Sequence, residues 1–116
     1  MLIPGPALKI TIHVNADISS RTKFLHEEIL QLLLERGVSG ATLLRVQSGF
    51  GTHHRLHTEG AAGVEGEHLP VRIEFIESKE TVDAILPALY ELISDGVIEA
   101  QNTTILKVTT GKTNLP

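Results

Sequence analysis

The sequence predicts an α+β fold in which a four-stranded antiparallel sheet carries two helices on one face, in the order βαββαβ. Three observations lead there. Apolar and polar residues alternate with period two over residues 8–14, and Val71, Ile73 and Phe75 keep the same period in the run that opens at Pro70. Helical spacing follows each of these runs, over residues 21–36 and again after Ser78. A further extended segment follows each helix, and it closes each strand-helix-strand unit.

The first strand reads Leu8, Lys9, Ile10, Thr11, Ile12, His13, Val14, with His13 on its polar side. In the helix that follows, Leu25, Ile29, Leu32 and Leu33 share one face, Ser19 or Ser20 is available as N-cap, and Gly37 is placed to end it. Leu30 and Leu34 widen that face and suggest a further contact. A second strand is expected over residues 41–48, and Pro70 introduces the third, over 71–77.

Ser78 is the expected N-cap of the second helix, where Val82, Ile85, Leu86, Leu89, Leu92 and Ile93 recur at three- and four-residue intervals before Asp95 and Gly96. Pro87 removes one backbone hydrogen bond and costs about 3 kcal/mol in a helix interior. The periodicity on both sides of it predicts a kink, not a stop. After a short apolar start at residue 97, a polar break falls at Gln101 and Asn102, and a last strand is expected near 104–108.

Two such units, each with a right-handed crossover, make a ferredoxin-like layer pair. Leu8, Ile10, Ile12, Val71, Ile73 and Phe75 are expected to face the helices. With 116 residues the chain has room for one core, so residues 1–116 are expected to form a single domain with a long loop over 51–68. Apolar residues at strand edges point to self-association.

Several function classes are excluded by composition. A net charge of -4 with ten Lys and Arg leaves no dense basic face for a nucleic-acid backbone or an acidic membrane. Three Phe, one Tyr and no Trp are too few for a base-stacking platform. The absence of cysteine removes disulfides, thiolate metal sites and cysteine nucleophiles together. No apolar run reaches bilayer length and the N-terminus lacks the features of a signal peptide, so a cytoplasmic location is expected.

A catalytic reading needs a nucleophile beside a positioned base, or paired carboxylates in a cleft, and none stands out. Ser48 near His53 or His54 is a proximity in sequence only, so a binding protein is expected and not an enzyme. A connection as long as 51–68 is usually functional or disordered. Gly49 and Gly51 flank Phe50 and offer backbone without Cβ for the approach of a phosphate, and Arg45, His53 and Arg55 are near in sequence to supply charge. Two glycines also make an ordinary strand-end bulge. His53, His54 and His57, with His68 further on, are candidate ligands for a divalent metal, Zn or Cu, although a loop does not fix their geometry as a helix would.

The residues also carry a resemblance over positions 5–108. The opening strand Leu8-Lys-Ile-Thr-Ile, the run Leu34-Glu-Arg-Gly-Val-Ser-Gly-Ala-Thr-Leu-Leu-Arg45, the stretch Gly49-Phe-Gly-Thr-His-His-Arg-Leu-His57, Leu69-Pro-Val and Leu86-Pro-Ala-Leu together resemble the PII-like family known as domain of unknown function 190. Its members are similar to nitrogen-regulatory PII proteins. The resemblance implies homotrimers of ferredoxin-like subunits that bind adenine nucleotides (AMP, ADP or ATP) between subunits. It also implies that a long loop after strand two contacts a membrane transporter or an enzyme.

Carried onto this sequence, the resemblance assigns loop-base glycines to Gly49 and Gly51, a phosphate-wrapping turn to Asp95 and Gly96, and a C-terminal basic segment to Lys107 with Thr110 and Gly111. Where PII proteins carry a phosphate-binding lysine after Asp-Gly, this chain has Val97, and Thr109 replaces one arginine of the C-terminal pair. With two cations fewer, a mono- or diphosphate or another anion is expected ahead of a triphosphate. Residues 51–68 contain no Tyr or Ser for covalent modification, so signalling is expected through ligand-dependent loop order. The alternative is a metal-binding or metal-tolerance trimer that uses the loop histidines.

Overall fold

The computed structural model describes residues 2–15, 24–46, 48–49, 57–58 and 70–111. The strands are β1 (Gly5–Asn15), β2 (Thr42–Arg45), β3 (Ser48–Gly49), β4 (His57–Thr58), β5 (Pro70–Glu77) and β6 (Val97–Ile105). Helix α1 (Leu25–Glu35) lies between β1 and β2, and α2 (Lys79–Leu92) lies between β5 and β6. The main sheet is antiparallel in the order β2-β5-β1-β6, as the βαββαβ reading requires, and β3 pairs with β4 in a separate ribbon.

The core follows from the alternation. Ile10, Ile12 and Val14 of β1 and Val71, Ile73 and Phe75 of β5 lie under Leu25, Ile29 and Leu33 of α1 and Val82, Ile85 and Leu89 of α2. Leu8, Leu30, Leu32 and Leu86 are partly buried around this cluster. Leu34, by contrast, is 70% exposed and takes no part in it.

Both helices end as their residues dictate. Gly37 has φ +81, and the amides of Gly37 and Val38 donate to the carbonyls of Leu34 and Leu33, which is the left-handed closure that favours glycine after a helix. The α1 N-cap is Phe24, without a side-chain cap bond; Ser19 and Ser20 lie outside the described residues. Ser78 caps α2 as expected, its hydroxyl accepting the Thr81 amide at 3.2 Å. The helix passes through Pro87 without stopping and ends at Leu92, before Asp95 and Gly96.

Three expectations need correction. Gln101 and Asn102 do not interrupt the last strand: they pair with Lys9 and Leu8 inside a continuous β6 that ends at Ile105. Polar residues are tolerated there because β6 is an edge strand with exposed positions along most of its length. The second strand, expected over 41–48, ends at Arg45, and the chain resumes pairing as the separate β3–β4 ribbon. The segment 51–68 is therefore not a loop throughout, since it contains β4. Among the described residues no helix is long and apolar enough to cross a membrane.

Candidate ligand-binding site

The register distributes the candidate residues between the two ends of the sheet. Arg45 pairs with Val71, Val71 with Val14, and the neighbouring His13 with Val97, which follows the Asp95 and Gly96 turn. Arg45 and that turn thus share one end of the sheet, three strand spacings apart, or roughly 14 Å. Gly49 lies just beyond this end, and the β3–β4 pairing sets it opposite His57. Phe50, Gly51, His53, His54 and Arg55 lie outside the described residues.

Lys107 is at the other end. Along β6 the chain advances roughly 27 Å from Val97 to Ile105, and Lys107 follows, exposed, in the tail. One subunit therefore does not bring Lys107 to Gly49 or to the Asp95 and Gly96 turn.

The Lys107 end holds a cleft of about 750 Å3. One wall is the tail at residues 108–110, another is Ser39, Gly40 and Thr42 at the entry to β2, and Lys9, Glu74 and Ile76 of the sheet complete it. That volume is in the range that encloses a small ligand. Lys107 itself lines an adjoining cleft of about 450 Å3 that shares Leu2, Ile76, Val108 and Thr109 with the first.

Lys9 and Ile76 pair across β1 and β5 and, with Glu74, point away from the helices, which is how the alternation puts them in the cleft. Glu74 is shared between two cations: Arg72 Nε stands 3.2 Å from one carboxylate oxygen and Lys9 Nζ 3.9 Å from the other. The Ser39 and Gly40 wall is tied down by Glu77, whose Oε2 accepts the Ser39 amide at 2.7 Å.

At the opposite end, His26 is the one described buried side chain with an unpartnered polar atom, Nδ1. Its ring stacks on Phe24 at 5.6 Å between centroids. Burial, and then the charge of Arg45, lower its pKa below the ordinary histidine value, against a smaller opposing effect of Glu27.

Sequence reading missed Lys9, Ser39, Thr42, Ile76 and Glu77. Strand alternation marks Lys9 and Ile76 only as facing away from the helices, and the tail that makes a cleft of that surface has no periodic signal. Among the described residues no group of three His, Asp or Glu could hold a metal ion.

A family model described as "Uncharacterized ACR, COG1993", the DUF190 family, matches residues 7–105. The chain belongs to the DUF190 family. Among curated relatives, the UPF0166 protein MJ1524 of Methanocaldococcus jannaschii is 29% identical over 98 residues, which is 81% of this chain and 83% of that protein. The fold of this DUF190 chain is shared with CPII, a nitrogen regulatory PII-like protein from Thiomonas intermedia K12 whose structure holds ADP, AMP and bicarbonate. That match has a TM-score of 0.63 at 22% identity and covers 92% of this chain and 94% of CPII. TTHA0516 from Thermus thermophilus matches with a TM-score of 0.64 at 19% identity, covering 90% and 94%. At these identities the likeness is one of fold: the DUF190 chain has the PII-like ferredoxin-like architecture.

Proposed function

We propose that this DUF190 protein is a PII-like, homotrimeric ligand-binding signalling protein without enzymatic activity. Its ligand is an adenine nucleotide, AMP or ADP ahead of ATP, or a related phosphate-bearing anion held between subunits. The 51–68 segment relays the bound state to a partner protein, a transporter or an enzyme.

The observation that carries this reading is the division of the candidate residues. Arg45, Gly49 and the Asp95 and Gly96 turn stand at one end of the sheet, and Lys107 with the 750 Å3 cleft stands at the other. A ligand that uses both groups needs two copies of the chain, each giving the end the other lacks. The exposed outer edge of β6 and the exposed Ile3, Val97 and Leu106 favour such an assembly, since both features are normally covered. CPII, of the same fold, holds ADP and AMP.

Chemically, the backbone at Gly49 and at the Asp95 and Gly96 turn offers amides to phosphate oxygens, and Lys107 adds a mobile cation. Val97 cannot supply a second one. A Kd in the micromolar range or weaker is expected, about -8 kcal/mol or less favourable.

Calorimetry with AMP, ADP and ATP on the wild type and on Gly51→Val and Lys107→Ala is the test. Binding by the wild type, weakened in both variants, supports the proposal. No binding at millimolar nucleotide, or wild-type binding by both variants, refutes it. Dialysis against Zn and Cu then measures the histidine alternative directly.

A further inference from the structure

The core face of β5 reads Val71, Ile73, Phe75 and Glu77, every second residue of the strand, and all four are buried. The first three pack under the helices as the alternation demands. Glu77 breaks the pattern. It puts a carboxylate, 2% exposed, where a fourth apolar side chain would continue the core. Among the described residues no cation pairs with it, and its hydrogen bond is to the backbone: Oε2 accepts the Ser39 amide at 2.7 Å, across 38 positions of sequence.

A buried carboxylate is costly unless something holds it, and a well-packed apolar residue usually serves stability as well or better. What Glu77 does that an apolar residue cannot is fix Ser39. The short charge-assisted bond locks the peptide at which the chain leaves α1 and turns into β2. Val38 anchors the same turn from inside, 9% exposed in the core, and its amide closes the end of α1. Ser39 and Gly40 are then a wall of the 750 Å3 cleft, and Ile76, next to Glu77 in sequence, lines the cleft from the other side of the strand.

We infer that Glu77 is a positioning residue for ligand binding: it touches no ligand itself, and it sets the Ser39 and Gly40 wall against which the ligand packs. The inference rests on the proposed nucleotide function. It adds the reason a charged group interrupts the core row where β5 meets the cleft.

The test compares Glu77→Gln, which keeps an oxygen acceptor of the same reach, with Glu77→Leu, which keeps the volume and removes the acceptor. ADP and AMP affinities are measured by calorimetry, with circular dichroism and the amide spectrum of the α1–β2 turn recorded on the same samples. Expected is an affinity within about threefold of wild type for Glu77→Gln and at least about tenfold weaker for Glu77→Leu, with the Ser39 and Gly40 amide signals displaced in the leucine variant alone. If Glu77→Leu does not fold, Glu77→Asp replaces it. Aspartate keeps the charge but is one methylene short of Ser39, and the same loss is expected. Wild-type affinity in a folded Glu77→Leu or Glu77→Asp protein overturns the inference and leaves nucleotide binding intact. No binding of ADP or AMP by the wild type overturns the proposed function, and the inference with it.

Discussion

Gly96 is packed so closely on His13 that a Cβ at residue 96 would lie 2.5 Å from the His13 carbonyl oxygen and 2.8 Å from Cγ1 of Val14. The first contact is with the backbone of β1, which is paired on both sides at His13, so it cannot be relieved by turning a side chain. The glycine that the PII resemblance assigns to a ligand turn is thus required by packing before any ligand arrives. Gly96→Ala is expected to destabilise the protein by about 1–3 kcal/mol. Urea unfolding in ligand-free buffer measures this, and an unchanged midpoint would show that the turn moves freely away from β1.

Stability should depend on pH through His26. Its folded-state pKa is lowered by burial first and by Arg45 second, so below the ordinary histidine pKa of about 6.5 the unfolded chain binds a proton that the folded one resists. The stabilisation is therefore complete above about pH 6.5 and is lost progressively as the pH falls towards the folded-state pKa. Expected is a Tm that declines from neutral pH towards about pH 5, with a smaller decline in His26→Phe, which keeps the stack on Phe24 and removes the titration. Equal slopes for the two proteins would mean that other groups carry the effect.

The two leucines on the buried stripe of α2 should separate. Leu89 is fully buried at 0% exposure, whereas Leu86 is partly buried at the margin of the core. Leu89→Ala is expected to cost about 2–5 kcal/mol and Leu86→Ala less, below about 2, because a site at the margin refills with neighbours or water. Denaturant midpoints decide the order. A larger loss at Leu86 would place it deeper in the assembled protein than in a single subunit.

The fold was legible because its signals are local. Residues 8–14 alternate, residues 82, 85 and 89 repeat at helical spacing, and Ser78 and Gly37 carry the chemistry of a helix start and a helix end. The break expected at Gln101 and Asn102 illustrates the limit, since an edge strand draws its order from its partner β1 and not from its own polarity. The site was legible only in part. Gly49, Asp95, Gly96 and Lys107 stand out as residue types suited to anions, and three of these four lie at one end of the sheet. The cleft did not show, because Lys9, Ser39, Ile76 and residue 109 are brought together by strand register and by the path of the tail. Glu77 was visible only as an exception to alternation, and its meaning depends on the amide it meets.

The division of the candidate residues between the two sheet ends makes a complementation experiment the most demanding test of the assembly. Light scattering should first give about three times the 12.6 kDa mass of one chain. Gly51→Val damages the loop-base end, and Lys107→Ala damages the tail end. Each homotrimer is then expected to have every site defective. When the two variants are unfolded together and refolded at equal concentration, subunits assort at random. A site is intact only where the loop-base end comes from a Lys107→Ala chain and the tail end from a Gly51→Val chain. Each condition is met half the time, so about one quarter of the sites should bind ADP with wild-type affinity. Calorimetry reads that fraction directly as stoichiometry. Sites built within one chain would show no recovery on mixing, because both defective chains would keep their own defective site.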